Sequence, residues 1–84
     1  MDVAVEISFY PLRVDYRACI HEFLERLRAE PELRVVTNSM STQVSGACER
    51  VLAILGRHLH ASFERLGSEA SRGVFVLKVL GPLG

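Results

Sequence analysis

Between Val3 and Tyr10, apolar Val3, Val5, Ile7 and Phe9 alternate with Ala4, Glu6, Ser8 and Tyr10. A period of two belongs to a β-strand with one apolar and one mixed face, and Pro11 ends it. From Asp15, placed as an N-cap, the period changes. Tyr16, Ile20, Phe23, Leu24 and Leu27 fall at helical spacing, while Arg17, Glu22, Glu25, Arg26 and Arg28 take the other side. This predicts an amphipathic helix stopped by Pro31.

Leu33 to Thr37 is short and β-branched, and Ser41 to Ser45 alternates again after the polar turn Asn38-Ser39, so a hairpin of two short strands is expected. Gly46 then opens a second helix, from about Ala47 to Leu66. Its stripe is Val51, Leu52, Leu55, Leu59, Phe63 and Leu66, with Gly67 placed as a C-terminal cap. After a loop over Ser68 to Gly73, Val74 to Leu80 is apolar apart from Lys78. Such a run fits a strand buried on both sides or at a subunit contact. The final Gly-Pro-Leu-Gly is read as irregular.

Two strand-to-helix units around a hairpin make the split βαβ pattern. The fold class is therefore α+β, a ferredoxin-like βαββαβ sandwich with a four-stranded antiparallel sheet and two helices on one face. The other face would expose Ala4, Tyr10, Val74 and Val76 beside Glu6, Ser8 and Lys78. That much apolar surface calls for self-association.

At 84 residues the chain supports one core, so residues 1–84 form a single domain. Ten basic and ten acidic side chains leave no net charge and no basic run to neutralise phosphates, which argues against nucleic acid. No apolar stretch spans a bilayer, and the N-terminus reads as a strand, not a leader, so no membrane role and a cytoplasmic location are expected. Cys19 and Cys48 lie in helical segments without metal or redox spacing and read as reduced thiols.

Catalytic chemistry finds no foothold in these residues. His58 and His60, two apart on a helix, point about 200° from each other and cannot share a metal through one face. No nucleophile elbow, Cys-His pair, paired carboxylate or glycine-rich phosphate loop occurs. What remains is a polar set on apolar strands: Glu6 and Ser8, then Asn38, Ser39, Ser41, Thr42 and Gln43. Such residues commonly face water or cap backbone groups in turns. They also suit a small-ligand pocket, with apolar walls from Tyr10, Met40, Phe63 or Phe75.

Two segments resemble the YkoF-type thiamine-binding family: Glu6-Ile7-Ser8-Phe9-Tyr10-Pro11-Leu12 before the first helix, and Met40-Ser41-Thr42-Gln43-Val44-Ser45-Gly46 before the second. Order and spacing fit along nearly the whole chain. The resemblance implies a ferredoxin-like fold that binds thiamine or its hydroxymethylpyrimidine moiety without catalysis, and needs no cofactor or metal. It also implies a homo-dimer or homo-tetramer in place of the family's tandem duplication. The ligand-binding residues would be Glu6, Ser8, Tyr10, Asn38, Met40, Ser41 and Thr42, with Glu6 balancing the thiazolium charge.

Two other readings belong beside this one. A small dimeric ferredoxin-like monooxygenase or isomerase would work through Asn38 or His58, on fold analogy alone. A structural or regulatory oligomer without ligand would pair Glu6, Ser8 and Lys78 across subunits.

Overall fold

The computed structural model describes residues Met1–Gly84. The elements run β1 (Asp2–Pro11), α1 (Tyr16–Arg28), β2 (Arg34–Thr37), β3 (Thr42–Ala47), α2 (Cys48–Ser68) and β4 (Gly73–Leu83). All strand pairs are antiparallel, in the order β2-β3-β1-β4, so the expected βαββαβ sandwich is the observed fold. Val3, Val5 and Ile7 of β1 meet Val44, Phe23, Leu27, Val51, Ile54 and Leu55 in one core under both helices. Neither helix is long and apolar enough to cross a membrane.

Several local expectations need correction. Asp15 makes no capping bond. Its carboxylate pairs with Arg13 instead, and that side-chain hydrogen bond holds it below the usual carboxylate range. Arg26 does not take the outer side of α1: it reaches across to α2, donating to Ser62 Oγ and to the His58 carbonyl. Glu22 with Arg65, and His58 with Glu30 at 2.8 Å, extend this polar seam between the helical elements. In α2, Ile54 and Ser62 are buried where Leu52 and Phe63 were expected, and those two are half exposed. Gly67 lies within the helix, and the left-handed residue after it is Ala70 (φ 54°). The hairpin turn is longer than a two-residue connection, since Thr37 pairs with Thr42. The tail to Leu83 continues β4 and does not run irregularly. Nor is β4 buried on both sides in the single chain, because it forms the outer edge of the sheet. Cys19 and Cys48 are not bonded to each other.

Gly46 does not open the helix but lies inside β3, one residue from its end and opposite Val3, with φ +157°. A Cβ there would stand 2.9 Å from the Glu32 carbonyl oxygen and 3.3 Å from Val51 Cγ2. The first obstacle is backbone and cannot swing aside. Gly46→Ala is therefore expected to cost about 1 to 3 kcal/mol through local strain. Urea unfolding checks this, and a midpoint equal to that of the parent would contradict the close approach.

Candidate functional site

The offset between two strand pairings creates the site. The β1–β3 ladder ends at Ile7↔Thr42, whereas the β1–β4 ladder runs on to Pro11↔Gly73. From Ser8 to Pro11, one edge of β1 thus has no strand beside it, and its backbone groups on that side need other partners. The β2–β3 loop fills part of the gap, and α1 roofs it. Between them lies an open cleft of about 220 Å³.

Phe9, Phe23, Ile20 and Leu24 form the apolar wall, while Ser8, Thr37, Ser39, Ser41 and Thr42 are the hydroxyl-bearing residues of the lining. Tyr10 and Met40 are largely exposed and stand at the rim. Phe23 is anchored by an aromatic cluster, with Phe9 stacked on Phe75 at 4.0 Å and Phe75 in turn 5.0 Å from Phe23.

Asn38 shapes the loop. Its side-chain oxygen accepts from the backbone N–H of Met40 (2.8 Å) and of Ser41 (3.0 Å), and its own N–H donates to the Ser41 carbonyl (3.1 Å). This is an Asx turn, which sets where Met40 and Ser41 point. The side-chain nitrogen of Asn38, Nδ2, makes no hydrogen bond within the chain. Thr42 is buried, with its hydroxyl 3.5 Å from that of Thr37.

Of the residues singled out in the sequence, Ser8, Tyr10, Asn38, Met40, Ser41 and Thr42 line this one cleft. Glu6 does not. It sits on the sheet face away from the helices, opposite Gln43 and Lys78, with Lys78 Nζ 3.9 Å from its carboxylate. Phe63 and Phe75, considered as walls, lie behind the cleft in the aromatic cluster; Phe9 and Phe23 take that place. The α1 contribution of Ile20, Phe23 and Leu24 was missed, although their helical spacing marked them as the inward face. His58 sits on the seam between α1 and α2 and has no access to the cleft. No charged side chain lines it.

No family profile matches the chain, and no curated protein does. Among solved structures, a candidate thiamine biosynthesis/salvage protein of Thermotoga maritima superposes with a TM-score of 0.79 at 18% identity, over 94% of this chain and 82% of that one. A Streptococcus pneumoniae protein gives 0.85 at 16% identity, over 99% and 89%. A domain of unknown function from Bacillus cereus gives 0.75 at 16%, over 98% and 77%. At these identities the likeness shows a shared fold, so the chain is a ferredoxin-like domain of the same architecture as these three proteins.

Proposed function

We propose that this domain is a non-catalytic binding protein for a small flat heterocycle, thiamine or its hydroxymethylpyrimidine moiety, working as a homo-dimer or homo-tetramer in the cytoplasm. The reading rests on the cleft where β1 outruns β3. It offers an aromatic wall, several hydroxyls and an unpaired strand edge in one place. An aminopyrimidine has one donor group and ring acceptors, which Ser8, Ser41, Thr42 and that backbone edge can meet, and its flat face suits an aromatic neighbour. The two sequence segments that resemble the thiamine-binding family supply Ser8 and Tyr10 on one side, and Met40, Ser41 and Thr42 on the other. The Thermotoga maritima protein named for thiamine biosynthesis or salvage has the same fold.

Size and charge favour the pyrimidine half. The cleft's 220 Å³ falls below the roughly 300 to 1,000 Å³ of sites for drug-sized ligands, which suits one ring. A thiazolium inside it would find no carboxylate, because Glu6 lies within the three-stranded stretch, between Gln43 and Lys78, and does not line the cleft. Isothermal titration with hydroxymethylpyrimidine and, separately, with thiamine tests this. Saturable binding near one per chain is expected, with the pyrimidine at least as tight as thiamine. No heat and no thermal shift with either compound would overturn the proposal.

A further inference from the structure

The phase of β1 decides which of its backbone groups the cleft exposes. In an antiparallel ladder one residue turns both its N–H and its C=O to one neighbouring strand, and the next residue turns both to the other. Leu12 N–H donates to the Arg72 carbonyl at 2.8 Å, one step past Pro11↔Gly73, so the even-numbered residues of β1 serve β4. Cys48 N–H donates to the Met1 carbonyl at 2.9 Å, one step before Asp2↔Ala47, so the odd-numbered residues serve β3. Val3, Val5 and Ile7 find Gly46, Val44 and Thr42 opposite them. The next odd residue is Phe9, and the same register would set Met40 against it.

Met40 does not take that place. Asn38 Oδ1 holds its N–H at 2.8 Å in the Asx turn, and its side chain is largely exposed. The rest of the loop is also committed elsewhere. Ser41 N–H donates to Asn38 Oδ1, and the Ser41 carbonyl accepts from the Asn38 N–H. One odd position further along β1, Pro11 has a carbonyl but no N–H. Phe9 therefore presents the one complete donor–acceptor pair on this open edge, and it belongs to the cleft lining.

We propose that the N–H and C=O of Phe9 are the recognition pair of the cleft, and that they select a ring with an amino group on the carbon beside an unprotonated ring nitrogen. The amino group donates to the Phe9 carbonyl, and the ring nitrogen accepts from the Phe9 N–H. The ring thus stands where Met40 would stand in a longer β3. This rests on the reading of the cleft given above and names the feature of the heterocycle that is read. A 4-aminopyrimidine has that edge, with donor and acceptor side by side as an added strand would offer them. Bound so, the ring continues the plane of the sheet and turns one flat face to Ile20, Phe23 and Leu24 of α1. A peptide strand suits the same edge poorly: after one pair with Phe9 it meets Pro11, which donates nothing.

Hydrogen exchange of the full chain, followed residue by residue by NMR, tests the pair. In the free protein the Phe9 amide should exchange fast while those of Val5 and Ile7 are protected, and saturating hydroxymethylpyrimidine should slow Phe9 about tenfold or more. The second arm is titration with the same pyrimidine carrying a methyl in place of its amino group. The Phe9 carbonyl then loses its donor, and affinity should fall about 5-fold to 150-fold. A Phe9 amide already protected in the free chain, or one that exchanges as fast with the pyrimidine bound, overturns the inference, and so does equal affinity for the methyl analogue; in each case binding in the cleft stands. Absence of any binding of hydroxymethylpyrimidine in the same titration overturns both.

Discussion

Replacing Ser41 and Thr42 together with valine is expected to abolish binding of hydroxymethylpyrimidine while the domain stays folded. Both hydroxyls line the cleft, on either side of the point where β3 begins. Each polar ligand atom left without a partner costs about 1 to 3 kcal/mol, so the pair should weaken binding by on the order of 30-fold to 10,000-fold. Valine keeps the shape of Thr42 in its buried position, and the only side-chain bond it gives up is the long one to Thr37. The melting temperature should move little. Titration of the variant beside the parent decides the matter, and unchanged affinity would sink the site. Glu6→Gln makes the opposite point: with its carboxylate outside the cleft and beside Lys78, affinity for the neutral pyrimidine should be retained.

Phe23→Ala should lower stability more than any other single change considered. Phe23 is buried, belongs to the core cluster, and touches Phe9 at 5.7 Å and Phe75 at 5.0 Å. Truncating a buried phenylalanine costs about 3 to 5 kcal/mol, a large share of the roughly 4 to 13 kcal/mol that holds a domain of this size together. The melting temperature should fall by roughly 15 to 30 °C. Calorimetry reads this directly, and a fall of only a few degrees would show that the aromatic cluster is not the keystone of the packing. Because Phe23 also walls the cleft, the variant should bind poorly even below its melting temperature, while Phe63→Ala, behind the wall, should spare binding.

The architecture was legible because periodicity reports burial directly. Val3, Val5 and Ile7 at a spacing of two, and Phe23 and Leu27 at helical spacing, have one arrangement that puts all of them out of water, and that arrangement is the observed core. Caps and turns were less legible. Asp15 had two candidate partners, the helix N-terminus and Arg13, and only the folded chain shows that it takes the arginine. Gly46 looked like a helix boundary because glycine marks many kinds of constraint. The one acting here is the close approach of the Glu32 carbonyl, a residue fourteen positions earlier in the chain.

The sequence by itself determined the order of elements, the side of each strand that faces the helices, and most of the polar residues that meet at the cleft. It could not separate Glu6 from Ser8, since alternate residues of a strand share a face. Tertiary structure separates them through register. Glu6 lies within the three-stranded stretch, flanked by Gln43 and Lys78, whereas Ser8 lies one step beyond the last β3 pairing, where the sheet opens. Register depends on where a partner strand ends, which is set by contacts between residues more than thirty positions apart and leaves no local mark on either segment.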